Sequence, residues 1–275
     1  MKTILCTCQQ DHKVNKFDKV RSQYKISKIG KLPNVVTESS GLARDLSRKS
    51  YWTHNDSGGL PELYEIDSTG NYLSQKVIPG AINVDWEDLS QGPGNSIFIG
   101  DIGNNSNQRK DLVIYKVNID PKNNNETEIG KIEFSYADQK QFPPPAESLN
   151  FDSEAFFYFR EKLYLFSKNR SRNNHFVKLY ALPAQEGRYV TSPADSISVG
   201  TQVTSADVSP DGKTFALLTY GKILLFRIEQ DMVNFRHPVG CFRFVHKQAE
   251  AIVFINNHDL MVSNEQGQLF RITRR

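Results

Sequence analysis

The chain has 275 residues, of which 38% are hydrophobic, and its formal net charge is only +3. This length and apolar content suffice for one sizeable hydrophobic core. The near-neutral charge excludes the extended basic surface that a nucleic acid or an anionic membrane would require.

The first 22 residues are predicted to lie outside the folded domain, which we place at residues 23–275. Residues 1–10 resemble the end of a bacterial lipoprotein signal, with Cys8 as the lipidation site, although their apolar stretch is short for a complete signal. Residues 9–22 are polar and charged, which predicts a flexible tether. These features predict an exported protein, periplasmic or lipid-anchored, with a cytoplasmic protein as the alternative.

Cysteine usage and hydropathy add two expectations. The three cysteines provide no disulfide framework, and Cys241, alone in a strand-like run, is interpreted as a small buried hydrophobe. No other stretch is long and apolar enough to span a membrane as a helix.

A short acidic motif recurs along the chain, and each copy places a carboxylate just before a run that resembles a buried strand. The intervals between copies are 49, 67, 53 and 43 residues, which is in the range of one blade of a β-propeller. The five copies lie at residues 38–42, 85–89, 152–156, 205–208 and 248–252.

Two more predicted strands follow each copy, marked by aromatic and β-branched residues with a period of two. The second strands lie at residues 51–56, 97–101, 163–169, 215–220 and 260–265. The third strands lie at residues 63–67, 112–117, 178–182, 223–228 and 269–272.

A weaker fourth strand leads into the next copy, at residues 72–78, 130–136, 196–200 and 236–244. The sequence ends at Arg275, after the third strand of the last copy. Tyr24–Lys31 is predicted to supply the missing fourth strand and close the ring. The sequence thus predicts an all-β fold, a single β-propeller of five four-stranded blades. A sixth, degenerate blade between residues 121 and 150 is the alternative.

In a blade, the start of the first strand and the end of the second lie at the same rim. The acidic motifs and the polar strand ends should therefore meet around one mouth of the central channel, where Lys168 is the only evident counter-charge. The predicted metal ligands are Glu38, Glu87, Glu154, Asp207 and Glu250. The predicted ligand-binding residues are Asn55, Asp56, Asn104, Lys168, Asn264 and Glu265.

Several carboxylates within about 4–6 Å of one another cannot all stay ionised without compensation. They can bind a cation, bind a cationic or polyhydroxylated ligand, or merely cap strand starts and turns. Carboxylate, amide and carbonyl oxygens suit Ca²⁺, with Mg²⁺ as the alternative.

The phrases at residues 38–42, 53–58, 83–89, 100–105, 163–169 and 206–212 resemble, as a set, uncharacterised exported β-propeller domains of the Bacteroidetes type. The resemblance covers roughly residues 32–275. A looser similarity links the chain to esterase-like phytase and SdiA-regulated propellers, which implies a metal at the propeller axis. The resemblance implies no assigned activity, and the acidic mouth departs from the basic mouth expected of a phytase.

The function predicted from the sequence is an exported β-propeller whose acidic, Ca²⁺-binding mouth serves as a ligand-binding or scaffold module. The alternative is a metal-dependent hydrolase of the esterase or lactonase type, with His54, Asp101 or Glu154 as catalytic candidates. The sequence leaves open whether the protein is an enzyme, because it has no Gly-x-Ser-x-Gly nucleophile motif. The predicted partner is a small molecule or glycan, with no nucleic acid, and the protein is predicted to be a monomer.

Overall fold

The computed structural model describes residues 8–119, 128–171, 176–246 and 248–275. Within these ranges β-strands dominate, with one helix, α1 (Gln9–Asn15), and two 3₁₀ turns at Arg21–Gln23 and Ala146–Ser148. No helix among the residues described is long and apolar enough to cross a membrane.

The strands follow one another with short connections. In chain order they are β1 (Asp18–Lys19), β2 (Tyr24–Lys31), β3 (Ser39–Asp45), β4 (Ser50–Asn55), β5 (Glu62–Ile66), β6 (Tyr72–Val77), β7 (Trp86–Gln91), β8 (Ser96–Asp101), β9 (Leu112–Asn118), β10 (Ile129–Tyr136), β11 (Ser153–Phe159), β12 (Lys162–Ser167), β13 (Phe176–Pro183), β14 (Gly187–Thr191), β15 (Asp195–Ser198), β16 (Val203–Val208), β17 (Thr214–Thr219), β18 (Gly221–Arg227), β19 (Pro238–Phe244), β20 (Ala249–Phe254), β21 (Leu260–Asn264) and β22 (Gln268–Arg274). They form five sheets, which are the blades of a β-propeller.

The five-bladed propeller confirms the predicted fold. Blade 1 contains β3 to β6, blade 2 contains β7 to β10, and blade 3 contains β11, β12, β13 and β15. Blade 4 contains β16 to β19, and blade 5 contains β20, β21 and β22. As predicted, β2 is the fourth strand of blade 5, where it pairs antiparallel with β22 and closes the ring.

Two blades carry an extra outer strand that the repeat pattern does not predict. β14 crosses from blade 3 to blade 2, where it pairs in parallel with β10. β1 pairs in parallel with the outer edge of blade 4, with Asp18 opposite Gly240. Both strands cover an edge that would otherwise offer unpaired backbone groups to another chain.

The core lies between neighbouring blades, because each inner strand is buried on both faces. This accounts for nearly continuous apolar strands such as β17, in which Phe215, Ala216, Leu217 and Leu218 are all fully buried. Aromatic rings fill the space between blades 3 and 4, where Phe215 stacks on Phe226 with ring centroids 4.7 Å apart.

The segment before β2 packs against the propeller and differs from the flexible tether that its polar composition predicts. Phe17 is fully buried, and the carboxylate of Asp11, 1% exposed, lies 2.5 Å from Nζ of the buried Lys222. The polar composition suggested a tether because the sequence does not show that Lys222 neutralises Asp11 in the folded protein.

Cys8 forms a disulfide with Cys241 of β19. The expectation that no disulfide exists was therefore wrong, and Cys241 is not a lone buried hydrophobe. A Cys8 thiol in this bond cannot also carry a lipid, so the structure does not support Cys8 as a lipidation site.

Reducing the disulfide should destabilise the protein, because the bond restricts a very long loop of the unfolded chain. We expect reduction by dithiothreitol to lower the free energy of unfolding by about 2–5 kcal/mol, measured by urea denaturation. Cys8→Ser should show the lower stability with and without reductant, whereas the control Cys6→Ser should keep the response. Equal stability of the wild type in both conditions would contradict the Cys8–Cys241 bond.

Candidate acidic metal site at the channel mouth

A β-bulge in the first strand of every blade sets the position of the mouth residues. In blade 3 the register passes from Ser153 to Ala155 and skips Glu154, and in blade 5 it skips Glu250 in the same way. In blade 2 the register shifts between Trp86 and Leu89, and Glu87 lies in the segment between them. A bulge changes the local direction of side chains, so these three glutamates occupy equivalent positions around the channel.

The bulges of the other two blades hold no acid. Ser40 lies in the bulge of blade 1, and the bulge of blade 4 holds Thr204, whose hydroxyl donates to the Ala249 carbonyl at 2.8 Å. Glu38 precedes β3 and is exposed.

Asp207 lies near the far end of β16 and lines a cavity at the opposite end of the channel. Its carboxylate accepts a hydrogen bond from the Phe254 backbone N–H at 2.7 Å. The structure therefore separates Asp207 from the other predicted metal ligands, because the sequence alignment of this copy was out of register.

Five carboxylates meet at the mouth in two overlapping groups that could hold a metal ion. One group is Asp56, Asp85 and Glu87, and the other is Glu87, Asp152 and Glu154. Within each group, one oxygen of each residue lies within 4.8 Å of the others. Glu87, at the bulge of β7, belongs to both.

The second group is largely neutralised by basic side chains. The Arg170 guanidinium pairs with Asp152 at 2.5 Å and with Glu154 at 2.9 Å. The Lys168 ammonium also pairs with Glu154. These contacts leave little negative charge for an added cation to compensate.

A hydrogen-bonded chain continues from Lys168 to the third bulge glutamate. Lys168 donates to the Tyr220 hydroxyl at 3.1 Å, and that hydroxyl donates to Glu250 at 3.0 Å. Glu250 is thus held by Tyr220, and it belongs to neither potential metal-binding group among the described residues.

The first group has no direct ion pair of this kind, although Arg109 acts from a distance to lower the pKa of Asp85. Asp56, Asp85 and Glu87 form no ion pair with any lysine, arginine or histidine in the part of the chain that the structure describes. Burial, and then the neighbouring carboxylates, raise the pKa of Glu87 well above its usual value. The same causes raise the pKa of Asp85 to about 6.

A glycine allows the next loop to pass directly over this first group. A Cβ atom at Gly103 would lie 2.3 Å from Oδ2 of Asp85 and 2.4 Å from Oε1 of Glu87. The Gly103 N–H also donates to the Asp85 carbonyl at 3.1 Å. Any larger residue would push the two carboxylates apart.

Two of the three catalytic candidates are buried and engaged in contacts with other side chains. His54 is fully buried, packs against Trp86, and has its pKa lowered to about 4 by burial. Asp101 is 1% exposed, pairs with Arg109 at 2.9 Å and accepts a hydrogen bond from the Asp85 N–H. Both position mouth loops, and Glu154 alone remains at the carboxylate groups.

The three predicted asparagine ligands are engaged inside loops. Asn55 Oδ1 accepts from the Thr37 N–H at 2.7 Å, and the Asn104 amide donates to the Phe151 carbonyl at 3.0 Å. Asn264 is fully buried and hydrogen-bonds within its own turn. These asparagines hold the mouth loops in place.

The other three predicted ligand-binding residues lie at or near the mouth. Asp56 belongs to the first carboxylate group and Lys168 pairs with Glu154. Glu265 is half-buried and accepts a hydrogen bond from the Gln248 amide at 2.5 Å.

The sequence interpretation missed the two arginines of the mouth, and Lys168 is not its only counter-charge. Arg170 follows Lys168 by two residues at the end of the same strand. The blade repeat, which places such strand ends beside the acidic motifs, could therefore have predicted that Arg170 lies near Glu154. Arg109 lies in a loop after β8 and returns to Asp101 only in three dimensions.

The comparisons with solved structures identify the fold. The PQQ-bound aldose sugar dehydrogenase from Streptomyces coelicolor is similar over 92% of this chain and 98% of its own, with a TM-score of 0.55 and 8% identity. A luciferin-regenerating enzyme is similar over 91% and 95%, with a TM-score of 0.54 and 10% identity.

The PQQ domain of a pyranose dehydrogenase from Coprinopsis cinerea is similar over 91% of this chain and 95% of its own, with a TM-score of 0.52 and 10% identity. No protein-family model and no curated protein matches the sequence. At such low identity these structures support a β-propeller and nothing about its chemistry.

The raised carboxylate pKa values predict that stability falls as the pH rises in the absence of divalent cations. Burial raises the pKa of Glu154 to about 7 and that of Glu250 to about 8, from 4.5. Between about pH 4.5 and 8 the folded protein then binds more protons than the unfolded chain, so its free energy of unfolding decreases with pH.

We expect Glu250→Gln to flatten this decrease by on the order of 2–4 kcal/mol, since one unit of pKa corresponds to about 1.4 kcal/mol. Urea denaturation in EDTA from pH 5 to pH 8 measures the effect. Glu147→Gln, at an exposed glutamate, is the matched control and should keep the slope of the wild type. Identical slopes for all three proteins would contradict the raised pKa of Glu250.

Proposed function

We propose that the mouth binds one divalent cation at Asp56, Asp85 and Glu87, and that this cation helps to bind a small oxygen-rich ligand. The observation that carries the proposal is that none of these three carboxylates forms an ion pair with a described residue. The neighbouring group differs, because Arg170 and Lys168 already neutralise it.

The donor set fits a hard cation. All three side chains offer carboxylate oxygens, which suit Ca²⁺ and, with stricter geometry, Mg²⁺. The nearest histidine, His54, is buried and hydrogen-bonds through Nδ1 to the Asn55 carbonyl, so zinc-type ligation has no support here. We favour Ca²⁺ because its coordination geometry is flexible, whereas Mg²⁺ requires a nearly ideal octahedron.

The proposed ligand is a small molecule or a glycan bearing hydroxyl or carboxylate groups. A bound cation would neutralise the first carboxylate group and would coordinate an oxygen of the ligand. Lys168 and Arg170 remain paired with Glu154 and Asp152, so the cation would be the group that attracts the ligand. The protein would act as a binding or scaffold module.

A metal-dependent hydrolase is the second candidate, and one observation favours it. Glu154 has its pKa raised to about 7 by burial, which suits a general base at neutral pH, and it lies beside the first carboxylate group through Glu87. In this role Glu154 would remove a proton from a water molecule, and Lys168 would hold its carboxylate in place. A cation would supply polarisation of an ester or lactone carbonyl.

We further propose that the protein is exported and monomeric. The Cys8–Cys241 disulfide supports export, because such bonds form and persist in oxidising compartments. The same bond argues against a lipid anchor at Cys8.

Cation binding should raise stability and release protons. We expect Ca²⁺ at a hundredfold excess over its dissociation constant to increase the free energy of unfolding by about 2.7 kcal/mol. Because burial and the neighbouring carboxylates raise the pKa of Glu87 and Asp85, that of Asp85 to about 6, cation binding near pH 6 should displace protons from them. Calorimetry at that pH in buffers of different ionisation enthalpy should detect the release, which diminishes as the pH rises.

Glu87→Gln should abolish the Ca²⁺ response, and Glu154→Gln should weaken it less, since Glu154 is already paired. Asp207→Asn removes a carboxylate at the opposite end of the channel and should leave the response intact. No response of the wild type to Ca²⁺, Mg²⁺ or Mn²⁺, or an undiminished response of Glu87→Gln, would overturn the metal site.

The hydrolase alternative has its own test. If Ca²⁺-dependent cleavage of p-nitrophenyl esters or of a δ-lactone is observed, Glu154→Gln should reduce kcat by about 100-fold or more with little change in KM. Asp207→Asn serves as the control, and circular dichroism checks that both variants fold. An unchanged kcat in Glu154→Gln would remove Glu154 from the mechanism, and saturable binding without turnover would favour the binding module.

A further inference from the structure

A second cavity lies on the outer side of the propeller, away from the channel mouth, where the last strands of blades 4 and 5 adjoin. It has a volume of about 740 Å³ and is bordered by β1, β2, β19 and β22. Sites for small molecules in proteins commonly enclose about 300–1,000 Å³. The cavity is therefore large enough for a small ligand.

The floor of this cavity is apolar. It contains the Cys8–Cys241 disulfide and the rings of Phe242 and Phe270. The imidazole of His246 stacks on Phe270 with ring centroids 4.1 Å apart, which extends the flat surface. Water bound here would find few hydrogen-bonding partners, so an alkyl chain or ring would displace it favourably.

The rim of the cavity is basic. Among the described residues, Lys19, Arg21, Lys28 and Arg243 line it, and no aspartate or glutamate does. All four side chains belong to exposed residues, and none forms an ion pair with a carboxylate in the described ranges. Four like charges around an apolar floor repel one another, and an anionic group placed between them would relieve this repulsion.

We propose that this cavity binds a single-chain amphiphilic anion, such as a free fatty acid carboxylate. Its alkyl chain would cover the Phe242 and Phe270 floor, and its carboxylate would lie among the rim cations. An uncharged amphiphile would leave the cations unpaired, and a purely polar anion would leave the apolar floor exposed to water. The mouth has the opposite charge, so the two sites select different ligands.

Calorimetric titration of the full chain with decanoate, below its micelle concentration, tests the proposal. Decanoate should bind saturably, while hexanoate, acetate and decanol should each bind at least tenfold more weakly. Lys28→Ala/Arg243→Ala should weaken decanoate binding at least tenfold, and Val245→Asp, at an exposed apolar residue of the lining, should do the same.

The matched control is Lys25→Ala/Lys31→Ala, which removes two exposed charges from the same strand β2 outside the cavity. It should bind decanoate as the wild type does. No decanoate binding, equal effects of the two double variants, or equally strong acetate binding would each overturn the proposal.

Flotation with phosphatidylglycerol vesicles separates a free amphiphile from a membrane surface. The wild type should stay unbound to vesicles at physiological salt. Flotation that Lys28→Ala/Arg243→Ala abolishes would instead make the cavity part of a membrane-docking surface and overturn the assignment to a free ligand.

Discussion

The pairing of β2 with β22 closes the ring, and the other features of the molecule depend on it. Without this strand, blade 5 would end on an open edge, and blades 1 and 5 would be joined only by side-chain packing, such as that of Leu42 with Val253. Closure also fixes where the first strands of the blades meet. Because Glu87, Glu154 and Glu250 lie at equivalent bulges of three such strands, they must approach the same axis. The acidic mouth is thus a consequence of ring closure combined with a repeated bulge.

The carboxylates at the mouth repel one another when they are ionised, and basic side chains of the fold compensate only some of them. Arg170 and Lys168 compensate the carboxylates of blade 3, and Tyr220 holds Glu250 by a hydrogen bond. The group centred on Glu87 has no comparable partner among the described residues, and it must either retain protons or bind a cation. This difference between the two groups supports the functional proposal. The group centred on Glu87 is the one whose negative charge a bound cation would neutralise.

The sequence predicted the fold well, because its main determinant is periodic. Alternating apolar residues and the motif spacing define the blades, and the unpaired end of blade 5 identified Tyr24–Lys31 as the closing strand. Glu87 and Glu154 followed from the same repeat. The bulge of blade 4 holds Thr204 rather than an acid, and the prediction took Asp207, three residues further on, because it is the acid that lies near this position in the repeat. The Cys8–Cys241 bond and the Arg109–Asp101 pair depend on contacts between distant or irregular segments, for which no periodic signal exists.

The small net charge of the chain conceals a strong spatial separation of charge. Acidic residues gather where strand starts converge on the axis, whereas Lys19, Arg21, Lys28 and Arg243 gather at the outer strands that close the ring. A ligand that is attracted to one of these surfaces is repelled by the other, because the two surfaces carry charges of opposite sign. The screening length at physiological salt is about 8 Å, so each surface acts only on a ligand close to it. The N-terminal segment contributes directly to the second surface, since β1 and Cys8 border the cavity. The strands that complete the propeller therefore also build a surface whose chemistry is independent of the channel.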